Sequence, residues 1–146
     1  MKQRSFPYTL VFLYLLSFCS CKKENEKSTS DLLLGTWTIS ELKEDLNNDG
    51  DFNDNNEDQL NSCVGDNVLT FHSGGELIIN QGALKCDPNE EPSLTGTWLL
   101  SDDEKILTLI DDTYTSALAL FSLTANQMEL HEIEDGRIEM LIVLEK

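Results

Sequence analysis

Thr95-Gly-Thr-Trp-Leu-Leu-Ser101, Lys105-Ile-Leu-Thr-Leu-Ile110 and Tyr114-Thr-Ser-Ala-Leu-Ala-Leu-Phe-Ser-Leu123 follow one another with only short acidic breaks between them. The breaks are Asp102-Asp103-Glu104 and Asp111-Asp112. Apolar and β-branched residues in runs of this length, cut by turn residues, read as strands joined by hairpins. Gln127 to Ile133 and Arg137 to Glu145 continue the series across Asn126 and Asp135-Gly136. Asp-Gly supplies the positive φ that a tight turn needs.

The same pattern extends towards the N-terminus. Leu34 to Lys43 alternates, Asn67 to His72 and Glu76 to Asn80 flank Ser73-Gly74-Gly75, and no stretch reads as a long amphipathic helix. Eight strands result, most joined at hairpin length. This predicts an all-β fold: an eight-stranded up-and-down antiparallel barrel, with a β-sandwich as the alternative. Two connections are long, residues 44–66 and 81–94. As the first and third connections of an up-and-down barrel, they are expected on one rim.

Ahead of the strands lies a different kind of segment. Lys2 and Arg4 precede an apolar run, Leu10 to Phe18, and then Cys19-Ser20-Cys21. That order reads as a signal peptide over residues 1–20, with the cut before Cys21 and lipid on its sulfur. The run falls short of the roughly 18 residues of a spanning helix. Two or three acyl chains, palmitate among them, hold stably where one does not. Residues 21–31 read as the lipidated cysteine and a polar tether, and 32–146 as one domain. Lys22 after the cysteine favours the outer membrane over the inner, and so a cell-envelope protein. Nothing in the chain sets an oligomeric state.

Cutting before Cys21 leaves Cys63 and Cys86 as a matched pair. They flank the second and third strands, whose hairpin brings its outer ends together, and a disulfide is expected there. No Cys-x-x-Cys or nearby His supports a redox or metal pair.

The formal charge is −17, and −19 once Lys2 and Arg4 are removed. Such a chain repels nucleic acid and anionic headgroups. No nucleophile motif or catalytic spacing is visible, so no enzymatic activity is expected. Asp45-Leu-Asn47-Asn-Asp49-Gly50-Asp51-Phe52-Asn53 matches the first nine positions of a calcium loop. Asn56 stands at position twelve, where a bidentate acid belongs, and Glu57 is one residue late. The segment is either a weak Ca²⁺ site completed by Asp54 or Glu57, or a solvated acidic turn. Asp58 and Asp66 add negative field without defined geometry.

With the strands placed, a family likeness emerges. Leu34-Gly35-Thr36-Trp37, Asp45 to Gly50, Cys63-Val-Gly-Asp66, Leu69-Thr-Phe71 with Gly74-Gly75, Gly82 to Asp87, Gly96-Thr97-Trp98 and Leu107-Thr-Leu109 occur in that order. Residues 32–146 resemble the small lipocalin-like domains of envelope lipoproteins of Gram-negative bacteria. The resemblance implies a membrane-anchored binding barrel holding a small apolar ligand or a glycan. The alternative is a structural or assembly protein of the envelope with a calcium-stabilised rim. It also implies that Trp37 packs across the closed end against a late-strand arginine, for which Arg137 is the candidate. Gly35 and Gly96, two residues before Trp37 and Trp98, are expected to allow close strand contact. Larger lipocalins carry a helix before or within the last strands, and no such helix is legible here. The abundance of Leu and Ile suggests a filled or narrow interior.

Overall fold

The computed structural model describes residues 27–47, 49–52, 59–89, 91–112 and 114–146. A short helix, α1 (Thr29–Leu33), precedes eight strands. These are β1 (Gly35–Glu44), β2 (Val68–Phe71), β3 (Glu76–Asn80), β4 (Ser93–Leu100), β5 (Ile106–Ile110), β6 (Thr115–Leu123), β7 (Gln127–Glu134) and β8 (Arg137–Glu145). Each strand pairs antiparallel with the next, and β8 returns to pair with β1. The fold is the expected closed barrel and not the sandwich. No helix among the described residues is long and apolar enough to cross a membrane.

Strand alternation sends one set of side chains inward. On β1 Trp37 and Leu42 are buried, five residues apart, which simple alternation forbids. A bulge between Ile39 and Glu41 supplies the extra residue and restores the phase. A second bulge lies between Leu120 and Ser122 on β6. It leaves Phe121 outside the pairing and 69% exposed, stacked on His131 with ring centroids 4.7 Å apart.

The two ends of the barrel differ. At the closed end lie α1, the turns β2–β3, β4–β5 and β6–β7, and the C-terminal Lys146. Trp37 is fully buried there, and its indole N–H donates to the Leu33 carbonyl at 2.7 Å. Trp98 donates to the His72 carbonyl at 3.0 Å and meets Phe71 edge-on. Leu77, Leu107, Met128, Leu130 and Leu144 join this core. Leu33, carried by α1, is fully buried and plugs it.

The helix was not legible as a long amphipathic run because it has only five residues. A local signal exists: Ser28 caps it and Asp31 reaches back, a reciprocal capping box. The polar segment expected to run to residue 31 therefore gives way to folded structure at Ser28. Thr29 also donates to the Glu104 carboxylate across the closed end.

The two glycine–tryptophan pairs work differently. A Cβ on Gly96 would lie 2.3 Å from the Ile110 carbonyl oxygen, so there the close strand contact is real. Gly35 instead adopts a φ of 118°, which an L side chain resists, and its nearest neighbour is the Lys146 stem.

Candidate ligand chamber at the open end of the barrel

The connections β1–β2, β3–β4, β5–β6 and β7–β8 all emerge at the end opposite Trp37. Both long loops thus share one rim, as the up-and-down order requires. The Cys63–Cys86 disulfide ties them together, with Cα atoms 5.0 Å apart. Asp66 adds a second tie: its carboxylate accepts from the Ala83 and Leu84 N–H groups at 2.7 and 3.1 Å. This acid, expected to add only field, holds one loop to the other. No spacing marks that role, since its partners are backbone groups of a distant loop.

Beneath the rim the barrel is hollow. A chamber of about 350 Å³ is walled by Ile39, Leu42, Leu69, Ile79, Leu109, Leu118, Met140 and Ile142. Its floor is the aromatic core, since Leu69, Leu77 and Leu118 belong to both. Asn67, Asp111, Tyr114, Ser116 and Glu132 bring polar groups to it. A side recess of about 420 Å³ lies under the disulfide, lined also by Gln81 and Leu94. It shares Asn67, Asp111 and Tyr114 with the main chamber. The interior expected to be filled or narrow is filled only in its closed half. Volume at the other end depends on which inward side chains sit at the same height, and bulges set that.

Small size and apolar lining suit one compact ligand. On β6, Leu118 and Leu120 point inward while Ala117, Ala119 and Phe121 face out. Ser116, the inward residue nearest the mouth on that strand, is small and buried.

The lipocalin-like domain pattern matches residues 33–130. The chain belongs to the lipocalin-like domain family. A solved lipocalin-like protein from Bacteroides uniformis is similar to it, at 13% identity and a TM-score of 0.45, over 79% of this chain and 98% of that one. No curated protein matches.

In this lipocalin-like barrel the tryptophan's cationic cover is not the expected one. Arg137 begins β8 at the open rim, the end away from Trp37, and pairs with Glu139 at 3.6 Å. Strand direction decides this: β8 runs antiparallel to β1, so its last residues, not its first, reach Trp37. Lys146 takes the place. Its Nζ lies 4.4 Å from the centre of the Trp37 ring and donates to the Leu32 and Leu34 carbonyls at 2.7 and 2.8 Å. Burial, and then the nearby Lys27, hold its pKa below the usual lysine value.

The acidic loop folds through its own hydrogen bonds. Asp45 is buried, and its carboxylate accepts from the Asp49 and Gly50 N–H groups at 3.2 and 3.0 Å. Asn47 accepts from Asp49, and Asp49 from Asp51, at 2.9 and 2.8 Å. Asn53, Asp54, Glu57 and Asp58 lie outside the described residues, as do residues 1–20, Cys21 and the tether as far as residue 26. Among the described residues no three His, Cys, Asp or Glu side chains gather as a metal site.

Proposed function

We propose that this chain is a lipid-anchored, non-catalytic binding protein of the cell envelope that holds a small apolar ligand in the open half of its barrel. The observation that carries the proposal is the apolar chamber of about 350 Å³ beneath the disulfide-tied rim. Its wall favours an apolar ligand over a glycan, whose hydroxyls would each need a partner on being buried. Lipid on Cys21 at the outer membrane, with a short polar segment leading to Ser28, would hold the barrel near the bilayer.

The test is saturable fluorescence of N-phenyl-1-naphthylamine, a neutral apolar probe, with wild-type protein and with Ser116→Trp. Filling the mouth should abolish the signal while far-ultraviolet circular dichroism stays that of the barrel. Equal binding by the filled variant would sink the proposal. Cys21→Ala should move the protein from the membrane to the soluble fraction; retention in the membrane would remove the anchor.

A second reading, an assembly role with a calcium-stabilised rim, draws on the buried Asp45 carboxylate and the turn it organises. A melting temperature that rises several degrees in excess calcium over chelator supports it, and an unchanged one removes it.

A further inference from the structure

The polar groups around the chamber are of one electrostatic kind. Among the described residues, no Lys, Arg or His lines either the chamber or its side recess. Asp111 and Glu132 bring two carboxylates to the wall. The side-chain oxygens of Asn67 and Gln81 are buried with no hydrogen-bond partner, and Gln81 as a whole is only 8% exposed. A buried acceptor without a donor is costly, and a ligand that supplies an N–H relieves it.

The mouth repeats the pattern on a larger scale. Among the described residues, the four connections at this end, within 45–67, 81–92, 111–114 and 135–136, carry nine Asp and Glu against Lys85. The three connections at the closed end, residues 72–75, 101–105 and 124–126, carry Asp102, Asp103, Glu104 and Lys105. Among the described residues the acidic connections therefore gather mainly around the opening. A mouth of one sign over apolar walls focuses its field on whatever enters.

Resting on the proposal that the chamber binds a ligand, we infer that this ligand is an apolar molecule with a cationic, N–H-bearing head of the ammonium class, and that fatty-acid anions are rejected. The apolar body fills the space between Leu69, Leu109 and Ile142. The ammonium group stays near the mouth, facing Asp111 and Glu132. A carboxylate in the same position meets two like charges and finds no cationic side chain among the lining residues.

Three ligands of equal chain length decide it: decylamine, decanol and decanoate, each displacing N-phenyl-1-naphthylamine at pH 7 and low ionic strength. Decylamine should bind about tenfold more tightly than decanol, and decanoate about tenfold more weakly, the scale of one partly screened charge contact. The amine's advantage should shrink as salt is raised. Glu132→Gln and Asp111→Asn should each lower the amine-to-alcohol ratio several-fold, and either variant suffices if the other does not fold. Decanoate binding as tightly as decylamine would overturn the inference while leaving a binding chamber in place. Failure of all three, together with failure of the probe itself, would instead overturn the binding proposal.

Discussion

The two halves of this barrel are built from the same eight strands and the same alternation, yet one is solid and the other hollow. In the closed half Phe71 and Trp98 meet edge-on, Trp37 belongs to the same core, and α1 buries Leu33 in it. In the open half the inward positions hold Ile, Leu and Met, with Glu132 and Ser116 among them, and no helix among the described residues covers them. Strand count alone does not empty or fill such a barrel. The aromatic core does: it fills the closed half and leaves the other half open.

That contrast can be broken from either side. The largest effect should come from Trp37→Ala, which removes a fully buried ring and its bond to Leu33. A loss of about 3–5 kcal/mol in chemical denaturation is expected. A loss below about 1 kcal/mol would mean that the closed half is not the stabilising one.

Next comes the rim. Replacing Cys63 and Cys86 together by alanine should cost about 3 kcal/mol, given a sequence separation of 23 residues. The double variant should also weaken probe binding, because the disulfide borders the side recess. Unchanged probe affinity would show that the chamber does not depend on the tied loops.

A smaller effect is expected of Lys146→Met, which keeps the stem over Trp37 and removes the ammonium group and both hydrogen bonds. It should cost about 1–2 kcal/mol in chemical denaturation and leave probe binding untouched, since it lies at the far end. Loss of binding would break the independence of the two halves.

The smallest concerns the β4–β5 turn. The Ser101 hydroxyl, and then the Lys105 N–H, hold the Asp103 carboxyl below its usual value of 3.8. The folded state therefore binds its proton less readily than the unfolded one. The stabilisation is present above the unfolded value and is lost as pH falls through the folded one. Asp103→Asn should flatten the melting temperature slightly across that acid range, and an identical pH profile would show that the turn contributes nothing.

Much of the fold was legible from the chain. Gly74-Gly75 and Asp135-Gly136 mark turns, and β3 and β8 fall where they were expected, at 76–80 and 137–145. The shared rim and the Cys63–Cys86 bridge follow from strand order alone. Arg137 was misplaced as the tryptophan's partner, although strand direction already assigned the start of β8 to the other end. α1 escaped because a five-residue helix has no periodicity, only the Ser28–Asp31 cap. The chamber escaped for a deeper reason. Leu42 and Leu109 look the same in sequence as Leu107, Leu130 and Leu144, and only bulges and register decide which of them join the core and which line the chamber.

Methyl chemical shifts test that distinction most directly. In protein carrying ¹³C-labelled Ile and Leu methyl groups, added decanol should shift Ile79, Leu109 and Ile142 and leave Leu107, Leu130 and Leu144 in place. Shifts spread evenly over both sets, or confined to neither, would contradict a barrel divided into a solid half and a binding half.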